Sequence, residues 1–230
     1  MFVLRKKTIV CILGIILCGV FIGACIGVSA GAVQAKTNSD LPVIVIDAGH
    51  GGIDAGVYGV NTSIKESDIN LEIARKLKGY FSNAGFECVM TRSTQAGLYG
   101  TTAKGFKMRD MQKRKEIIEE CGADMVISIH QNTCPLSSKR GAHVFYDEGS
   151  ECSKTLAALV QKQMNLLEGG VPSNSSLVGD YYMLKCTSAP SVIVECGFLS
   201  NAEDEALLIT DEYQSLAAYA IFKGAVSYFS

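Results

Sequence analysis

Neither sign of charge dominates this chain: its 230 residues carry 21 Lys and Arg against 23 Asp and Glu, a formal net charge of −2. The two signs are interspersed, and a nucleic-acid surface needs a basic face, so no nucleic-acid partner is expected. Histidine is scarce, with three in the whole chain, so the choice of imidazole ligands or proton carriers is narrow. No internal repeat or low-complexity tract occurs. Nor does any Cys-x-x-Cys pair occur among the nine cysteines, which removes zinc-finger spacing. No His-Glu-x-x-His helix is present, which removes the common zinc-peptidase pattern. Cys11, Cys18 and Cys25 fall in an apolar N-terminal run, leaving Cys88, Cys121, Cys134, Cys152, Cys186 and Cys196 for the rest. Those six would permit three disulfides in an oxidising compartment, but a domain of this size does not need them, and mostly free thiols are expected.

The N-terminus supplies what a soluble domain lacks. Thr8 to Val33 carries no charge and is long enough to cross a bilayer as a helix of about 20 residues. Arg5, Lys6 and Lys7 put its short end in the cytoplasm. The folded part is therefore expected outside the cytoplasmic membrane. Residues 1–35 read either as a membrane anchor or as a cleaved signal segment, since Val28-Ser29-Ala30 and Val33-Gln34-Ala35 end in small residues that a signal peptidase accepts. Residues 36–42 read as a linker, and 43–230 as one globular domain.

Val43 to Gly56, VIVIDAGHGGIDAG, organises that domain. Four β-branched residues predict a strand buried on both faces, and the glycine-rich turn after it carries His50. The pattern recurs where Met125 to Ile129 ends at His130, and again where Ser191 to Val194 ends at Glu195. Open α/β sheets place ligands beyond the carboxyl ends of their strands. Between these runs, Ile69, Ile73, Leu77 and Phe81 are spaced for a helix opening at Glu66-Ser67-Asp68, and Phe86 to Thr91 supplies a strand. Met108 to Cys121 predicts a helix, Ala142 to Tyr146 a strand, and Glu151 to Leu167 a helix ended by Gly169-Gly170. Tyr181 to Leu184 reads as a short strand and Asp211 to Tyr228 as a closing helix. Strands alternating with helices give the fold class: a single α/β domain, mostly parallel sheet, helices on both faces.

A catalytic zinc takes three protein ligands and leaves a position for water. His50 and His130 supply two, and Glu66 is the best third, because a glycine-rich loop lets its helix start fold back over the strand ends. Asp47 competes for that place; otherwise it orients a ligand imidazole or ties down the turn, and Asp54 could serve similarly. Glu195 is placed to move the proton between water and leaving amine.

These residues also carry a resemblance. Asp47 to Gly52 with Asp54 and Gly56, Glu66 with Asn70-Leu71, Thr91-Arg92, Ser128 to Asn132, Gly141 to Tyr146 and Pro190 to Asn201 resemble, in order, the zinc-dependent N-acetylmuramoyl-L-alanine amidases of the Amidase_3 type. The resemblance implies Zn2+ held by His50, Glu66 and His130, Glu195 as the catalytic residue, and peptidoglycan as substrate, cut between the lactyl group of N-acetylmuramic acid and L-alanine. A bare amidase domain behind one apolar segment is similar to the spore-cortex amidases, whose action precedes muramic-δ-lactam formation. It also fits vegetative wall turnover or, from another class, a non-catalytic peptidoglycan-binding regulator. The expected partners are peptidoglycan, the membrane through the N-terminal segment, and an activating protein whose need stays open. Departures are Ser173 to Gly179, where many members carry an arginine, and Gln131, where a small residue usually follows the histidine. His143 reads as a partly exposed strand residue, and Asn132 as either a substrate contact or a turn residue.

Overall fold

The β-branched run forms strand β1, Val43–Ala48, with β2, Glu87–Met90, on one side and β3, Met125–Asn132, on the other. The computed structural model describes residues 42–167 and 174–230; the N-terminal apolar segment, most of the linker and the Gly169-Gly170 helix stop lie outside them. Beyond β3 come β6, Ser191–Phe198, then β4, His143–Tyr146, and the two-residue β5, Leu177–Val178, giving the order β2-β1-β3-β6-β4-β5. All neighbours run parallel except β4 and β6.

The helices are α1, Glu66–Asn83; α2, Phe106–Glu120; α3, Glu151–Met164; α4, Tyr182–Lys185; α5, Ala202–Leu208; and α6, Asp211–Val226. Alternation along the strands decides what each layer buries. Ile44, Ile46, Ile127, Ile129, Val192 and Val194 join one core with α1, α3 and α6, into which Ile69, Ile73, Leu77 and Phe81 project at every fourth position. Val45, Val126 and Ile193 turn to the opposite face and meet Ile118 of α2 and Met183 and Leu184 of α4. By the same alternation Asp47, Ser128, His130 and Glu195 share that second, thinner face. Helices therefore cover both faces of a mostly parallel sheet, as the sequence predicts.

Three local expectations change. Tyr181 to Leu184 does not form a strand: the place beside β4 is taken by Leu177–Val178, and Tyr182–Lys185 makes a helical turn that drives Met183 and Leu184 together into the second core. A short apolar run cannot be told from a helical one by periodicity. Helix α5 was not expected; Asn201 caps it, its side chain accepting from the backbone N–H of Glu203 and Asp204. Finally, His130 and Glu195 lie within their strands, because pairing of β3 with β6 continues to Phe198 past a bulge between His130 and Asn132.

Candidate active site

The turn after β1 is shaped by two buried arginines. Arg92 donates to the carbonyls of Ala48, Gly49 and Ser67, and Arg114 to those of Ala48 and His50, at 2.7 to 2.9 Å. His50 sits at φ 59°, a left-handed conformation uncommon for a residue with a Cβ. The guanidiniums that fix the carbonyls on either side of it hold it there.

Glu66, the first residue of α1, is buried above the strand ends. Its Oε2 accepts from the Val57 N–H at 2.9 Å, and its Oε1 from the Gln131 N–H and the Asn70 amide at 3.1 and 3.2 Å. The loop before it is pinned from behind. Glu205 of α5 accepts from the N–H groups of Asn61 and Thr62 and from the Thr62 hydroxyl.

Onto this fixed carboxylate the two histidines converge. His50 Nε2 lies 3.3 Å and His130 Nδ1 2.9 Å from Glu66 Oε1, with the two rings edge to face at a centroid separation of 5.0 Å. Glycines leave the room: a Cβ at Gly49 would stand 2.2 Å from the His130 ring, and one at Gly56 2.2 Å from Glu66 Oε2. One donor atom from each of His50, Glu66 and His130 lies within 4.8 Å of the others, and among the described residues no other such group of three is found. Two imidazoles and a carboxylate are a donor set of the kind that catalytic zinc sites use, which makes this cluster a candidate metal site.

Asp54 Oδ2 holds His50 Nδ1 at 2.9 Å, leaving Nε2 to face Glu66. That hydrogen bond, against the burial that opposes ionisation and with help from Lys107, draws Asp54 down to about 2. Burial works against a charged His50, but the hydrogen bonds to Asp54 and Glu66 outweigh it and raise the imidazole to about 9. Burial likewise works against an ionised Glu66, and the His130 and His50 contacts outweigh it, holding the carboxyl far below the usual range.

Asp47 contacts neither imidazole by hydrogen bond. Its carboxylate is occupied by Arg114, Thr91 and Ser128 at 2.5 to 2.7 Å, so its place is in the clamp on the turn. Glu195 stands opposite His130 in the parallel register and lines a cleft of about 260 Å³ with His50, His130, Lys107, Met111, Tyr181 and Met183. Its Oε2 is buried and has no hydrogen-bond partner among the described residues. Burial pushes this carboxyl up to about 7, with His130 pulling down and Glu66 pushing up. Asn132 falls outside the cleft lining: past the bulge its side chain turns back, Oδ1 accepting from the Thr133 N–H. His143, opposite Glu195 on β4, packs edge to face on Phe198 and is half-buried.

The sequence reading overlooked Arg114 and Asp110. They stand one turn apart on α2, Arg114 Nε donating to Asp110 at 2.6 Å, and both are buried. An oppositely charged i,i+4 pair on a weakly apolar helix was the available signal, and such pairs are ordinarily solvent-exposed.

Comparison with known proteins agrees with this architecture. The chain is 30% identical over 191 residues to the germination-specific N-acetylmuramoyl-L-alanine amidase of Bacillus subtilis strain 168, covering 82% of this chain and 80% of that protein. Among solved structures it is similar to the CwlD amidase of Clostridioides difficile in complex with the GerS lipoprotein, at 35% identity and a TM-score of 0.78 over 82% of this chain and 98% of that one. The catalytic domain of CwlV, an N-acetylmuramoyl-L-alanine amidase of Bacillus (Paenibacillus) polymyxa var. colistinus, gives 29% identity and a TM-score of 0.71, over 82% of this chain and 98% of that one. The family model described as N-acetylmuramoyl-L-alanine amidase matches residues 44–227, and the chain belongs to that Amidase_3 family.

Proposed function

We propose that this amidase uses a zinc ion held by His50, Glu66 and His130 to hydrolyse the bond between N-acetylmuramic acid and L-alanine, with Glu195 as the proton carrier. The observation that carries the reading is the convergence of three donor atoms within 4.8 Å beside a buried carboxylate oxygen that has no hydrogen-bond partner among the described residues.

A zinc bound there supplies Lewis-acid polarisation of the scissile carbonyl and of water. Glu195 accepts a proton from the attacking water and delivers it to the amide nitrogen as the C–N bond breaks, leaving the lactyl carboxylate and a free L-alanine amine. A carboxyl held near neutrality by burial can both take and return a proton, and a dication beside it favours its charged, accepting form. Asp54 fixes the His50 tautomer. Met111, Met183 and Ile193 form an apolar wall to the cleft.

The likeness to a germination-specific amidase and to CwlD supports a role in spore-cortex maturation, where stem-peptide removal frees muramic acid for lactam formation. The apolar segment at residues 1–35 supports action outside the cytoplasmic membrane, anchored or released. The relative solved with a lipoprotein supports an activating protein partner.

Mass spectrometry of muropeptides incubated with the purified zinc-loaded protein tests the reaction. Stem peptides with a free L-alanine amine are expected, and muropeptides left intact both by the protein alone and after addition of a lysate from a strain lacking it would refute it. Deletion in the source organism separates the settings: loss of cortex muramic-δ-lactam supports the spore role, and unchanged lactam with an altered vegetative wall overturns it.

A further inference from the structure

Gln131 occupies the bulge where the pairing of β3 with β6 slips, between His130 and Asn132. Its side chain is almost fully buried and points, as alternation requires, to the face opposite His130, toward α1. There its Nε2 donates to Asn70 Oδ1 at 3.1 Å, while Asn70 Nδ2 donates to Glu66 Oε1 and to the Gly49 carbonyl, each at 3.2 Å.

Chemistry fixes the direction of this chain. A carboxylate oxygen and a carbonyl oxygen can only accept, so the Asn70 amide must turn its NH2 toward Glu66 and Gly49. Its oxygen then faces Gln131, which must turn its own NH2 toward it. Asn70 is completely buried, so no water competes for either end. The backbone N–H of Gln131 also reaches Glu66 Oε1, at 3.1 Å. The Gln131 amide also donates toward the Cys196 thiol, next to Glu195, while its Oε1 is buried with no hydrogen-bond partner among the described residues.

We propose that Gln131 and Asn70 form a two-step relay that positions Glu66 as a metal ligand, an inference that rests on the zinc reading above. Both are positioning residues, since neither lines the cleft. Asn70 holds Glu66 Oε1 from behind, toward the two imidazoles. Gln131 gives the buried Asn70 oxygen its donor and ties the Asn70 amide to the strand that pairs with the one bearing Glu195. A small side chain at residue 131 would leave the buried Asn70 oxygen without the donor that Gln131 supplies, so this chain gains a further constraint on the amide behind its carboxylate.

The test is zinc affinity, measured by chelator competition on the full-length protein in detergent for Asn70→Ala, Gln131→Ala, Gln131→Glu and the Asn70→Ala/Gln131→Ala double variant. Outer partners of metal ligands are worth roughly 10- to 100-fold in affinity. Asn70→Ala and Gln131→Glu should each weaken zinc by about 10-fold or more. The new carboxylate of Gln131→Glu has no hydrogen to give, so it would set an acceptor against the Asn70 oxygen and push the Asn70 amide out of line with Glu66. If Gln131 acts through Asn70, Gln131→Ala costs nothing further in the Asn70→Ala background. A merely structural role would show additive losses and lower melting of the metal-free variants. The absorption spectrum of the cobalt-loaded protein should change in Gln131→Glu, reporting an altered ligand field. Unchanged zinc affinity in the single variants, or additive losses in the double, overturns the relay while the zinc reading stands. Failure of the unsubstituted protein to bind zinc overturns both.

Discussion

Arg114 Nη1 lies 2.5 Å from Asp47 Oδ1, with both side chains sealed from solvent. The same guanidinium reaches Asp110 and the carbonyls of Ala48 and His50, so α2 is fastened to the His50 turn through charge and hydrogen bonds. Replacing Arg114 by alanine leaves two buried carboxylates unpaired. Breaking a buried pair from one side costs about 3–5 kcal/mol. Urea unfolding of the metal-free protein should show a loss of that size.

That ion pair also sets a pH dependence. Burial alone would raise Asp47, but Arg114, Ser128 and Thr91 outweigh it and hold the carboxyl far below its ordinary value. A depressed carboxyl contributes stability that is fully present above the unfolded-state value of about 4 and is lost as pH falls toward the folded value. The stability gap between the unsubstituted protein and Arg114→Ala should therefore narrow below about pH 4. A gap constant from pH 7 to pH 3 in urea titrations would contradict this.

His50→Ala and His130→Ala should each abolish stoichiometric zinc, read by metal analysis after gel filtration. Asp54→Ala, which frees His50 Nδ1, should keep the ligands and weaken zinc roughly 10-fold. Full occupancy in both histidine variants would remove the assigned metal centre.

Glu195→Gln should keep fold and zinc while hydrolysis falls by roughly 100-fold or more, the usual contribution of general acid/base catalysis. Loss of zinc in this variant would make Glu195 a ligand, and a near-normal rate would put the proton carrier elsewhere.

Glu205→Ala should destabilise the protein by about 1–3 kcal/mol, since it strips acceptors from the Asn61 and Thr62 N–H groups. Limited proteolysis should then cut first near residues 59–63. Gly59→Ala should act similarly, because its Cβ would stand 2.2 Å from Glu205 Oε1.

The three buried strands and the residues they bring to one cleft were legible because buried parallel strands are continuous apolar runs, and His50, His130 and Glu195 each follow one. Glu66 was legible from the glycine-rich loop that must return the chain to the strand ends. What escaped was polar and buried. Met108, an apolar position of the expected helix, is exposed, whereas Asp110 and Arg114 take the inner face beside Ile118. Hydrophobic periodicity cannot register a face built of charges that satisfy one another. Leu177–Val178 escaped for the opposite reason, being too short to show any period.

The carbonyls of Ala48, Gly49 and His50 are all held by guanidinium or amide donors of the protein. The His50 turn is therefore shaped by the protein's own donors, and under the proposed zinc reading ordering it is part of folding rather than of metal capture. The conformational entropy of the turn is thus not charged against affinity. If zinc binds as proposed, the metal-free and metal-loaded turns should superimpose, since the donors that shape the turn come from the protein itself.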